Sequence, residues 1–235
     1  VIVGAHDWVG ELAANGSIVR LNISKKAIQE TATYALQGFR YGAGVYGMPT
    51  QIENVAMITN AGLVKTQPKT FDAVSVEALA LKKAGKATVP FAVPQGANGD
   101  AYHMYPLFSG LGGYVFATNP SGSVNPKKVG LDNPTFRKNQ EIINGWNKTG
   151  LINSKVDYGI AKDAFVAGKA PFWITGPWEL DALKALKSKY RITAVPAIVN
   201  GITPVPFLGA QGFMVTKFAA THGVQTGANS LVAEY

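Results

Sequence analysis

PFWITGPWEL, residues 171–180, passes from an apolar strand to a helix through two residues. Residues 171–175 are aromatic and β-branched, the composition of a buried strand. Gly176 and Pro177 then make a tight turn. Pro177 suits the first turn of a helix, where its missing N–H would have no partner in any case. The helix is predicted over residues 178–187. This joint sets Trp178 near a helix N-terminus, while Trp173, in mid-strand, reads as core.

The same grammar recurs outward from this segment. VIVGA, residues 1–5, reads as a buried strand that turns through His6-Asp7 into a short helix, with Asp7 a candidate N-cap and Gly16 closing the helix after Asn15. Helices are predicted over residues 25–36, 71–84, 100–109, 134–148 and 160–167, and again toward the C-terminus. Strands are predicted over 44–48, 52–59 (with Pro49 between them), 87–93, 113–116, 192–198 and 207–216. Strands alternating with helices argue for an α/β layered fold. No internal repeat and no low-complexity linker interrupts the pattern.

Composition narrows the function. The chain has 235 residues, 47% hydrophobic and 15% charged, which is too apolar for disorder. No apolar run reaches the roughly 18 residues of a membrane-spanning helix. The absence of cysteine rules out disulfides and thiol ligands and suits an exported protein without requiring one. A net charge of +8 invites a nucleic-acid reading, but only four of the 22 basic residues are arginine, and these lie far apart. Phosphate readers cluster their charge and use arginine forks, so no nucleic-acid partner is expected. His6, His103 and His222 have no neighbouring ligand pattern, and GAGVYG lacks the Lys-Ser/Thr of a phosphate loop, so no metal and no cofactor is expected.

Four segments place aromatics and carboxylates at element ends. Asp7 and Trp8 follow the first strand, at the carboxyl end where ligands gather in open α/β sheets; the plainer reading makes Asp7 a cap and Trp8 a core residue. Glu53 interrupts a stretch read as a buried strand, and a carboxylate there needs a salt bridge, a ligand or water. Asp100, Tyr102 and His103 crowd the start of a helix, where His103 taken alone reads as a structural histidine. Tyr158, preceded by Asp157, and Trp178 complete the set. A pyranose has apolar C–H faces and a rim of hydroxyls. Flat rings match the faces, and ionised carboxylates accept from the hydroxyls in charge-assisted hydrogen bonds.

The segments AHDWVG, YGMPTQIENVAMITN, AYHMYPLFSGLGGYVF, VDYGIAKDAFVAGKAPFWITGPWEL and PVPFLGAQGFMVTKF occur in the order seen in maltose/maltodextrin-binding proteins, which the chain resembles over most of its length. The resemblance implies an α/β, two-lobed periplasmic-binding-protein-like fold with a hinge and a ligand cleft between lobes. It implies a partial first lobe at residues 1–50, a second lobe at 51–206 and a return to the first lobe at 207–235. It also implies an oligosaccharide ligand, delivery to the membrane permease subunits of an ABC importer, and an extracytoplasmic location. Carried over by position, Asp7 and Glu53 bind sugar hydroxyls, and Trp8 stacks. Asp100 stands where a glutamate is common, Tyr102 and Tyr158 face the sugar, and Trp178 is the main stacking residue of the second lobe. His103 replaces an aromatic residue, and Gly4 stands where some members carry tryptophan; both departures bear on which oligosaccharide fits. Relatives extend beyond both ends of this chain, so the first lobe is expected to be incomplete.

Two other readings stand beside this one. The same fold can bind a different sugar or another solute. A glycoside hydrolase would need two carboxylates flanking one bond, which Asp7, Glu53 and Asp100 could supply. The family counterparts of these residues bind and do not hydrolyse, so no enzyme is expected.

Overall fold

A computed structural model of the chain describes residues 1–120, 124–184, 186 and 189–234. In chain order the elements are β1 (Ile2–Ala5), a 3-10 turn (His6–Trp8), α1 (Val9–Ala14), α2 (Lys25–Glu30), α3 (Thr33–Gly38), β2 (Arg40–Tyr41), β3 (Gly44–Val45), β4 (Gly47–Glu53) and β5 (Ala56–Asn60). There follow α4 (Phe71–Lys83), α5 (Ala101–Gly110), β6 (Phe116–Thr118), β7 (Val124–Val129), α6 (Pro134–Asn139), α7 (Glu141–Thr149), α8 (Tyr158–Val166) and β8 (Phe172–Thr175). A second 3-10 turn (Pro177–Glu179), α9 (Leu180–Lys184), β9 (Tyr190–Thr193), β10 (Gly209–Met214), α10 (Phe218–Thr221) and α11 (Gln225–Glu234) complete the chain. The elements mix helix and sheet, and the chain divides into two compact units, Val1–Glu53 with Leu208–Tyr235 and Asn54–Phe207.

The first unit is built on a three-stranded antiparallel sheet with β10 between β1 and β4. Val9, Ile18, Phe39, Ala210 and Met214 pack one cluster of its core, and Leu21, Leu36, Met48, Val215 and Val232 pack another. β1 is not the fully buried strand its composition suggests: Gly4 is buried but Val3 is 61% exposed, because β1 pairs with β10 alone among the described strands. Pro49 does not separate two strands either. β4 runs through it, because the register with β10 shifts there: Gln51 faces Gln211 and Pro49 faces Gly212, leaving Thr50 as the extra residue. A bulge of this kind is where a sheet tolerates proline. The predicted helix over 25–36 is two helices. The Thr31 backbone is extended, and both its amide (3.1 Å) and its hydroxyl (2.7 Å) donate to the Ala27 carbonyl, closing α2.

The second unit carries β8–β5–β9, antiparallel, with β5 central. β5 and β8 bury the row Met57, Ile58, Phe172, Trp173 and Ile174. α4 lays Phe71, Val74 and Ala78 on this core, is capped by Thr70 Oγ1 and stops where Gly85 adopts φ +69°. The segment 87–93 forms no ladder. Pro90 lies inside it and Pro94 follows it, and it makes a single parallel bridge at Ala92, which donates to Phe172 O (2.8 Å) and accepts from Ile174 N (2.9 Å). The predicted helix over 134–148 is interrupted at Gln140, whose carbonyl takes the Ile143 amide in a tighter i to i+3 bond. β6 lies two to three residues beyond its predicted place and pairs with β7, whose VNPKKV carries no strand alternation. β9 stops at Thr193, short of Pro196. Helix after Pro177 begins as a 3-10 turn and continues as α9 to Lys184; the predicted end at Lys187 lies outside the described residues. In α5, the Ser109 hydroxyl accepts the Val205 amide (2.8 Å) and lies 2.7 Å from the Val205 carbonyl.

Candidate functional site

Asp7, Trp8 and Glu53 belong to the first unit. β1 and β4 both run antiparallel to β10, so Ala5 and Glu53 end at the same edge of the sheet, opposite Gln211 and Gly209. Asp7 is exposed in the turn that follows β1. It is not a cap: the 3-10 turn starts at Ala5 and α1 at Trp8, neither with a side-chain cap bond. The turn is anchored instead by His6, whose Nδ1 accepts the Ala210 amide at 3.2 Å. Trp8 is not core either. It is 51% exposed, its ring folded back over Gly4, where a Cβ would come within 2.6 Å of it. Glu53 is half-buried between exposed Ile52 and exposed Asn54, a wet position, not a buried strand interior. Gln211 Nε2 approaches its Oε1 at 3.5 Å, the limit of a hydrogen bond.

The other five candidates belong to the second unit, and the structure brings four of their rings together. Asp100 caps α5: Oδ1 accepts the His103 amide (3.0 Å) and Oδ2 faces His103 Nδ1 (2.8 Å). One carboxylate therefore starts the helix and orients the imidazole. His103 is buried, and around it stand Tyr158 (ring centroids 5.5 Å apart), Tyr102 (5.8 Å) and Trp178 (5.8 Å), each edge to face. Its Nε2 is buried without a hydrogen-bond partner. Tyr102 also lies 6.1 Å from Trp178 and 5.9 Å from Phe207, which stacks on Tyr105 at 3.8 Å.

Tyr158 opens α8 one residue after its cap, Asp157, whose Oδ1 accepts the Ile160 amide. Trp178 is 43% exposed, yet its indole N–H is tied to the Tyr158 hydroxyl at 2.6 Å. That hydroxyl in turn donates to Glu179 Oε1, and Glu179 Oε2 pairs with Lys162 Nζ at 2.9 Å. Burial pushes the Tyr158 phenol from 10 up to about 12, and the Glu179 carboxylate adds to the rise. Glu179 and Lys162 are partners of these candidates that sequence reasoning missed, since a carboxylate that directly follows an exposed tryptophan in GPWEL reads as surface.

Among the described residues no group of three or more His, Asp or Glu side chains could hold a metal ion, and no helix is long and apolar enough to cross a membrane. The family model of the bacterial extracellular solute-binding proteins matches residues 1–235. The chain belongs to that family. The maltodextrin-binding protein MdxE of Bacillus subtilis (strain 168) is 29% identical to this solute-binding protein over 229 residues, 93% of this chain and 52% of the relative. A galactooligosaccharide-binding protein of the same strain is 27% identical over 226 residues, 93% of this chain and 52% of the relative. A maltotriose-binding protein of Pyrococcus abyssi (strain GE5 / Orsay) is 26% identical over 232 residues, 94% of this chain and 47% of the relative. This solute-binding protein thus spans about half the length of the curated relatives it matches.

Proposed function

We propose that this solute-binding protein holds a maltodextrin-type oligosaccharide outside the cytoplasm and presents it to the permease subunits of an ABC importer. The units Val1–Glu53 with Leu208–Tyr235 and Asn54–Phe207 serve as its two lobes. The observation that carries the reading is the aromatic group Tyr102, Tyr158 and Trp178 around His103, with an exposed Trp178 ring fixed by its own hydrogen bond. Such rings offer flat faces to pyranose C–H surfaces. Asp100, although its two oxygens are already engaged, keeps lone pairs for sugar hydroxyls. The first unit, taken by itself, offers the same chemistry in the exposed ring of Trp8 and the carboxylates of Asp7 and Glu53. Two of the relatives named above are maltodextrin- and maltotriose-binding proteins, which supports an α-glucan. The third, nearly as similar, supports a galactooligosaccharide as the second reading.

Calorimetry with maltose, maltotriose and a galactooligosaccharide tests this. One of them is expected to bind with Kd on the order of micromolar, about −8 kcal/mol. Trp178→Ala should weaken that binding by about 2 kcal/mol or more, the usual effect of removing an anchoring aromatic. Absence of binding heat with all three sugars would overturn the reading. Maltotriose incubated with the protein should be recovered intact; shorter products would favour the hydrolase instead.

A further inference from the structure

Glu179 is 5% exposed, and each of its carboxylate oxygens has one partner on α8: Tyr158 OH on Oε1 and Lys162 Nζ on Oε2. Tyr158 and Lys162 are four residues apart, so they project from the same face of that helix. A carboxylate this buried is tolerated only when such partners satisfy it. On the other side of Tyr158, the hydroxyl accepts the Trp178 indole N–H. The Trp178 ring lies so close over Gly176 that a Cβ there would come within 2.2 Å of it.

Counting protons along this chain gives a definite polarity. A phenol has one hydrogen and an indole has one N–H. Both are consumed, the first by Glu179 and the second by Tyr158. Neither side chain retains a donor for a ligand.

We propose that Glu179 is a positioning residue for the sugar site: acting through the Tyr158 hydroxyl it fixes the Trp178 ring, and it leaves both side chains to meet a sugar as ring faces without a donor. This rests on the oligosaccharide reading above. Neither side chain can then donate to a sugar hydroxyl, so what the pair offers a ligand is ring face.

The test uses the indole N–H signals of the sugar-free, 15N-labelled protein, whose four tryptophans are Trp8, Trp146, Trp173 and Trp178. Trp178→Phe assigns one signal. In the wild type that signal should exchange slowly with water, and Tyr158→Phe should remove the protection. Glu179→Gln should shift it and speed its exchange while the signals of the buried Trp146 and Trp173 stay in place. Maltotriose affinity should fall about tenfold in Glu179→Gln, the scale of one charge-assisted hydrogen bond. The double variant should bind no worse than Tyr158→Phe alone, since Glu179 acts through that hydroxyl. An unmoved Trp178 signal in Glu179→Gln overturns the proposal. So does a shift of Trp146 and Trp173 together with it, which would mark a merely structural residue. If the wild type binds no sugar, the oligosaccharide reading fails, and the sugar-free spectra still decide whether Glu179 holds Trp178.

Discussion

Trp8 and Trp178 share one design and differ in one bond. Each is a half-exposed indole that follows a strand and lies back over a glycine, Gly4 for Trp8 and Gly176 for Trp178. Trp178 is also held by its N–H, through Tyr158 to a buried carboxylate. No described residue holds Trp8 in that way. Packing over a glycine sets where a ring can lie; the hydrogen bond sets where it does lie. A ring fixed before a ligand arrives loses less freedom on binding, so of the two indoles Trp178 is the preorganised one.

The largest effect expected from this contrast is in Gly176→Ala. The new methyl would sit 2.2 Å from the Trp178 ring and drive it off both its glycine and Tyr158. Sugar affinity measured by calorimetry should drop by about 2 kcal/mol or more, as if the anchor had been removed. Retained affinity would mean that Trp178 does not work from this position.

Next is Asp100→Ala, which removes the cap of α5 and the partner of His103 together. Urea unfolding should show a loss of about 1–2 kcal/mol. Asp7→Ala, in the other unit, removes no cap bond, so the same measurement should move by less than about 0.5 kcal/mol. Equal losses would erase the distinction between the two carboxylates.

Alkaline pH gives a smaller and more selective effect. The Tyr158 phenol titrates near 12 in the folded protein and near 10 when unfolded. The folded state therefore keeps a proton that the unfolded state gives up, and stability falls as pH rises from about 10 toward 12. Tyr158→Phe should remove that part of the slope in urea midpoints measured across this range. An unchanged slope would mean that the phenol is neither buried nor in contact with Glu179.

The smallest effect on sugar affinity belongs to Gly4→Ala. The Cβ would crowd Trp8 and the flexible end of Met214, but an exposed ring without a hydrogen bond can swing into water. Because Gly4 and Met214 are buried, stability should fall by about 1 kcal/mol, the low end of overpacking costs, while sugar affinity should change less than about twofold. A much larger loss would show that Trp8 is fixed after all.

Where residues carry their own local physics, the sequence was readable. Asp100 caps α5, and Gly176-Pro177 turns the chain into a helix, because short-range chemistry dictates both. Tyr102, Tyr158 and Trp178 were singled out from element ends, whereas His103 taken alone read as a structural histidine and joined them through the family resemblance. What stayed hidden depended on partners distant in the chain. Pro49 sits inside β4 because of the register of β10, some 160 residues away, and of residues 87–93 only Ala92 finds a strand partner, at Trp173. Glu179 escaped notice because a carboxylate after a tryptophan reads as surface until Tyr158 and Lys162 are seen closing over it. The cap assigned to Asp7 failed for a local reason: a 3-10 turn places Trp8, not Asp7, at the helix start.

The Ser109 hydroxyl engages both polar groups of one peptide unit's residue, Val205, two positions before the second unit ends at Phe207. That makes the departing chain part of α5's own fastening. The Val205 amide can trade its hydrogen for deuterium only when this corner lets go, so its exchange rate times the release. It is one backbone proton that serves as a clock for the helix bearing Asp100, Tyr102 and His103.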